Sequence, residues 1–187
     1  MPKKVLVPLA EGFEEIEAVS LIDVMRRGGI DVLVRSLDEN LEVTGANGIT
    51  VKADAPLAGL GADELDMVVL PGGWGGTNRL AENAEVQELL KAMDAKGKQI
   101  GAICAAPFAL NAAGVLKEHY TCYPSVEEQI RLEGYEGDAH QVVEDANVMT
   151  SRGPGTAICF GLQIVKKLVG SEMYETLKGG LLATYCE

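Results

Sequence analysis

The stretch Gln99-Ile-Gly-Ala-Ile-Cys-Ala-Ala-Pro-Phe-Ala-Leu-Asn-Ala-Ala-Gly114 decides the fold. Gln99–Ile103 is a short apolar run of buried-strand type, and Ala105–Ala113 continues as a helix that Gly114 stops. A strand that turns directly into a helix through one cysteine, Cys104, is half of a βαβ unit. The same alternation extends outward in both directions. Upstream, Asp66–Leu70 reads as a strand running into Pro71-Gly-Gly73, and Asn83 caps a helix with Val86, Leu89, Leu90 and Met93 on one face and Gly97 at its end. Further upstream come a strand at Lys4–Leu9, a helix at Glu14–Arg27 ended by Gly28-Gly29, a strand at Ile30–Ser36 and a hairpin across Glu42–Lys52 about Asn47-Gly48. Downstream, Ser125–Glu128 has capping-box spacing, and Gln141–Thr150 reads as a hairpin about Asp145-Ala-Asn147. A helix after Ser151–Thr156 turns Ile158, Leu162, Val165 and Val169 inward and ends at Gly170, and a last short helix starts at Ser171. Strands alternating with helices predict one α/β domain over residues 1–187, a flavodoxin-like three-layer sandwich with a mostly parallel sheet.

The net charge of −12 repels phosphate backbones and anionic lipid, which argues against nucleic-acid and membrane partners. The opening Met-Pro-Lys-Lys and the short apolar run after it do not form a signal peptide, and the expected location is the cytoplasm. Cys104, Cys122, Cys159 and Cys186 form no CxxC pair, so free thiols are expected. His119 and His140 lack ligand neighbours at metal spacing, and no metal site is expected.

Sheets of this kind place their sites beyond the carboxyl ends of the strands. Three segments end there: Glu11–Glu17, Pro71–Gly76 and Gly101–Pro107. At the Cys104 turn, free backbone amides and the helix dipole favour a thiolate with a pKa below the free value of about 8.5. The residues alone leave a plain core thiol equally open. An amide from Gly72 or Gly73, together with that of Ala105, is placed to form an oxyanion hole, with a plain βα turn as the other reading. Most of the glutamates in Glu11–Glu17 read as solvated partners of the helix dipole. Glu17 differs, because it lies a turn into the helix beside its apolar stripe. Buried next to a thiolate it would have to hold a proton, which it could donate to sulfur or substrate.

The motifs Ala10-Glu-Gly-Phe-Glu-Glu-Ile-Glu17, Asp23-Val-Met-Arg-Arg27, Val69-Leu-Pro-Gly-Gly73, Ala102-Ile-Cys-Ala-Ala-Pro107 and Thr150-Ser-Arg-Gly-Pro-Gly-Thr156 resemble the ThiJ/PfpI superfamily, in its parkinsonism-associated deglycase branch. The resemblance runs end to end. It implies that Cys104 is the reactive cysteine, Glu17 its protonated partner, and Gly73 and Ala105 the oxyanion donors. It further implies cofactor-free conversion of a small 2-oxoaldehyde or a glycated substrate, and a homodimer with Asp23 and Arg27 at its interface. Many members carry a histidine in a Thr-x-His-Pro stretch, where this chain reads Thr121-Cys-Tyr-Pro124. Tyr123 is no base at neutral pH, so a Cys–His dyad is not expected, and peptidase or glutaminase chemistry with it. His140 reads as structural. Two alternatives stand beside the enzyme: a redox sensor or holdase chaperone acting through oxidation of Cys104, and more weakly a thiazole-biosynthesis or amidase role.

Overall fold

A computed structural model describes all of residues 1–187. The strands are β1 (Lys4–Leu9), β2 (Asp31–Ser36), β3 (Glu42–Thr44), β4 (Thr50–Lys52), β5 (Ala55–Pro56), β6 (Met67–Leu70), β7 (Gln99–Ile103), β8 (Val142–Asp145) and β9 (Val148–Ser151). The helices are α1 (Glu15–Arg27), α2 (Trp74–Glu82), α3 (Ala84–Ala95), α4 (Pro107–Ala112), α5 (Ala157–Leu168) and α6 (Ser171–Gly180). Seven strands form one sheet in the order β5-β2-β1-β6-β7-β9-β8, parallel throughout except for β8, which runs antiparallel to β9. The doubly wound α/β sandwich expected from the alternation is the observed fold.

Alternation along the strands supplies the two faces. Val5, Val7 and Leu9 of β1 pack with Leu21, Met25, Phe160 and Ile164 from α1 and α5, while Leu6 packs on the other side with Leu90 and Met93 of α3. Each such fully buried side chain contributes roughly 1.5–3 kcal/mol relative to exposure. The central order β1-β6-β7-β9 brings the carboxyl ends of four parallel strands side by side, with Leu70 paired to Ala102 and Ile103 to Ser151. Ala10, Pro71, Cys104 and Arg152 follow those ends.

Several local expectations are corrected. The Glu42–Lys52 hairpin is a separate two-stranded ribbon, and the pairing of Thr44 with Thr50 leaves a five-residue loop rather than a two-residue turn at Asn47-Gly48. That loop is pinned from α1, because the amides of Asn47 and Ile49 donate to Glu15 Oε2 at 2.8 and 3.1 Å. Ser125 does not cap a helix: it sits at φ 81° before a single 3-10 turn, with no side-chain capping bond. Residues 74–82, within and after the glycine-rich segment, form α2.

The expectation of four free thiols holds for Cys104 and Cys122 only, since Cys159 and Cys186 form a disulfide. No spacing rule foretold this pairing. It arises because α6 folds back along α5 and the chain end returns to Cys159, held also by Tyr174 Oη and Gln163 Nε2 donating to the Glu187 carbonyl.

Candidate active site

β7 ends at Cys104, whose φ of 66° places a non-glycine residue in the left-handed region. A conformation of this kind costs on the order of 1–3 kcal/mol and persists only where neighbours impose it. Two backbone hydrogen bonds do so here. The Cys104 amide donates to the Ser151 carbonyl at 3.0 Å, and the Tyr123 amide donates to the Cys104 carbonyl at 2.9 Å. The turn lifts the side chain off the strand axis, and the amides of Ala105 and Gly73 donate toward its sulfur. The thiol is buried at the carboxyl end of the interior strand β7.

Glu17 comes from α1 and is fully buried. Glu14 caps that helix by accepting from the Glu17 amide at 2.8 Å, which fixes where the first turn begins. The Gly72 amide donates to Glu17 Oε1 at 2.9 Å, and Oε2 has no conventional hydrogen-bond partner. Oε2 is therefore the oxygen free to carry a proton, and the group coupled to this carboxyl is the Cys104 thiol. Gly72 has to be glycine, because a Cβ there would lie 2.7 Å from both Cys104 Cβ and Glu17 Oε1. The sequence reading counted Gly72 among the oxyanion donors. The structure commits its amide to Glu17 and leaves Gly73 and Ala105 as the donors at sulfur.

Burial pushes the Glu17 carboxyl up from 4.5 to about 7, and the Glu14 charge adds to this. The neighbouring Cys104 thiol and the hydrogen bond from Gly72 pull it back only in part. Burial also drives the Cys104 thiol well above its ordinary value, reinforced by the Glu17 carboxylate and opposed by the amides of Ala105 and Gly73. The expectation of a lowered thiol pKa is thus overturned. It counted the amides and omitted the desolvation that outweighs them. The pair gives up its first proton at about 7 and holds the second, as a thiol beside a carboxylate or a thiolate beside a carboxylic acid.

Of the other expected residues, Tyr123 adjoins this centre through its backbone, and Asp23, Arg27 and His140 do not. Tyr123 is half exposed, with its ring against Gly153 (a Cβ there would lie 3.2 Å from Tyr123 Cδ2). It borders a groove of about 340 Å³ shared with His140, Arg152 and Glu187. Asp23 and Arg27 form an ion pair one turn apart on α1, remote from Cys104 in a surface groove of about 570 Å³ shared with Val19, Ile22 and Val51. His140 lies near the Glu187 carboxylate at 3.7 Å and not at the thiol. No set of three His, Cys, Asp or Glu side chains is gathered as for a metal ion, and no helix is long and apolar enough to cross a membrane.

Two residues escaped the sequence reading. Glu15 is buried rather than solvated, because the hairpin loop donates three hydrogen bonds to it from Asn47 and a fourth from Ile49. Trp74 opens α2, and a lone tryptophan inside a glycine run is its visible signal in the sequence.

Comparison with known proteins bears directly on this arrangement. The model of the DJ-1/PfpI family matches residues 3–167. The chain belongs to the DJ-1/PfpI family. It is 41% identical to protein dj-1beta of Drosophila melanogaster over 186 residues, covering 99% of this chain and 100% of that one. It is 38% identical over 173 residues to the Caenorhabditis elegans protein named glutathione-independent glyoxalase DJR-1.2, covering 92% of this chain and 91% of that one. The crystal structure of Drosophila melanogaster DJ-1beta superposes with a TM-score of 0.93 at 42% identity, covering 97% of this chain and 98% of that one.

Proposed function

We propose that this protein converts small 2-oxoaldehydes such as methylglyoxal to 2-hydroxy acids, using Cys104 and Glu17 and no cofactor. The observation that carries the reading is the pairing of a buried carboxyl, raised to about 7, with a thiol that meets two backbone amides at a strained turn. The kinship with a relative named a glutathione-independent glyoxalase supports it.

The reactive form is the Cys104 thiolate beside the Glu17 acid, reached by moving the shared proton from sulfur to Oε2. The two amides at sulfur stabilise that charge. The thiolate adds to the aldehyde carbon, and the resulting alkoxide takes up a proton to give a hemithioacetal. Glu17, as carboxylate, removes the proton on that carbon and returns it to the neighbouring carbon through an enediolate. The aldehyde carbon is thereby oxidised to a thioester as the ketone is reduced to an alcohol. Water then hydrolyses the thioester, releasing the hydroxy acid and the thiol. No external oxidant or reductant enters. Glycated amines and thiols that release the same aldehyde would reach the same site.

The test is turnover of methylglyoxal by Cys104→Ala and Glu17→Gln, each purified and shown to be folded. Wild-type rates in either variant would overturn the assignment. A second reading, a redox sensor, draws on the same amides and acid, which would hydrogen-bond a Cys104 sulfinate. Mild peroxide followed by intact mass should add two oxygens at Cys104, and failure to do so removes that reading. We further propose that two copies pair across α1, where Ile16, Val19 and Ile49 are exposed beside the Asp23–Arg27 ion pair. A monomer by light scattering at micromolar concentration would refute it.

A further inference from the structure

The single tryptophan of the chain stands one residue beyond an amide that serves the Cys104 sulfur. Trp74 directly follows Gly73, whose amide donates toward the Cys104 sulfur, and it opens α2. Its indole meets the ring of Phe108 edge to face, with centroids 5.6 Å apart and planes at 72°. Phe108 is set by the other sulfur donor's residue, since its amide bonds to the Ala105 carbonyl at 3.0 Å. The aromatic pair is thus built on the two turns that supply the amides at sulfur.

Trp74 remains 38% exposed even with Phe108 against it. Tyr123, tied through its amide to the Cys104 carbonyl, is 49% exposed. Of the nine aromatic residues in the chain, these two exposed rings branch from segments that hold Cys104. Methylglyoxal offers only a methyl group to such surfaces. A ring held edge-on by a second ring has already lost its rotamer freedom, so it stacks a planar substituent at little further entropic cost.

We propose that Trp74, held by Phe108, is a specificity-determining residue that favours 2-oxoaldehydes carrying a planar aromatic substituent, the aryl glyoxals, over methylglyoxal. The proposal rests on the thiol reaction set out above and adds no chemical step to it. Phenylglyoxal would leave as mandelate by the same internal redox exchange.

The test compares kcat/KM for phenylglyoxal and methylglyoxal in the wild type, Trp74→Ala, Trp74→Phe and, as a control for lost surface apolarity, Leu132→Ala. The ratio of phenylglyoxal to methylglyoxal should fall roughly fivefold in Trp74→Ala, mostly through KM, which is the range of one aromatic pair. Trp74→Phe should recover most of it, and Leu132→Ala should leave it unchanged. A ratio within twofold of wild type in Trp74→Ala overturns the proposal. A second arm needs no turnover. Cys104→Ala protein is titrated with benzoylformate, a planar aryl 2-oxo acid, and with pyruvate, following the emission of Trp74. A saturable change with benzoylformate at several-fold lower concentration than with pyruvate supports the proposal, and equal or absent responses overturn it. If the wild type turns over neither aldehyde, the thiol reaction fails, and the emission titration alone then decides the role of Trp74.

Discussion

Two free cysteines in this molecule lie buried beside a glutamate, in surroundings that differ, and our proposal assigns chemistry to only one of them. Cys122 sits in a small cluster with Ala105, Tyr120 and Val126, its sulfur 3.9 Å from Glu127 Oε2. Cys104 is paired with Glu17 at the carboxyl end of β7. Burial raises both thiols, Cys122 to about 12. The differences lie around them. Glu17 is fully buried, whereas Glu127 is partly exposed and its charge is screened by water. Two amides from different loops donate to the Cys104 sulfur, against one, from Glu127 itself, at Cys122. Cys104 alone is held at a positive φ, at the open end of four parallel strands. A cysteine beside a glutamate is therefore not in itself a reactive pair. Reactivity needs the acid to be dry and the sulfur to meet donors that do not move.

The comparison breaks most directly on the nucleophile. Cys104→Ala should lower methylglyoxal turnover on the order of 10³-fold or more, as expected for loss of a covalent nucleophile, and Cys122→Ala should change it less than threefold. Equal losses would mean that the two sites are not distinct. The acid comes next. Glu17→Gln should cost about 10²- to 10³-fold in kcat, the range of a positioned acid–base group, while Glu127→Gln should cost little. In the wild type, activity should rise with pH through about 7 as the Cys104–Glu17 pair gives up its first proton, and that limb should vanish from the Glu17→Gln profile.

Stability should follow pH in the opposite sense. The folded chain holds the Glu17 proton more tightly than the unfolded chain, with a pKa of about 7 against 4.5. Stability from this group is complete below about 4.5 and is lost as pH rises through about 7. The loss amounts to about 3 kcal/mol. Urea unfolding at pH 5 and pH 8 should show it in the wild type and not in Glu17→Gln, and an unchanged difference in the variant would place the titration elsewhere. The smallest expected effect is structural. Cys122→Ala should lower stability by about 1 kcal/mol through lost packing, with the pH dependence of activity intact.

Much of this was legible before any fold was known. The βαβ alternation and the turn through Cys104 were carried by apolar periodicity and glycine placement, which are local properties. Cys104 and Glu17 were visible as candidates because a cysteine at a strand end and a glutamate inside an apolar stripe are both out of place. The division of labour between Gly72 and Gly73 was not legible. It depends on which amide faces α1 and which faces α4, an arrangement set by the order of strands in the sheet. The direction of the thiol pKa was missed for a related reason, since amides can be counted along a chain but desolvation comes from residues far apart in it. The Cys159–Cys186 bond likewise required α6 to fold back along α5.

The sequence by itself determined a parallel α/β sandwich, a strand-to-helix turn carrying Cys104, and an acid one turn into the first helix. Periodicity, caps and breakers act within a few residues, so they can be read in one dimension. Only the tertiary structure decided that Glu17 reaches Cys104, that Gly73 and Ala105 donate to its sulfur while Gly72 serves the acid, and that Cys122 has its own, partly exposed glutamate. Burial and mutual approach belong to the packed chain, and at this site they set where the proton resides.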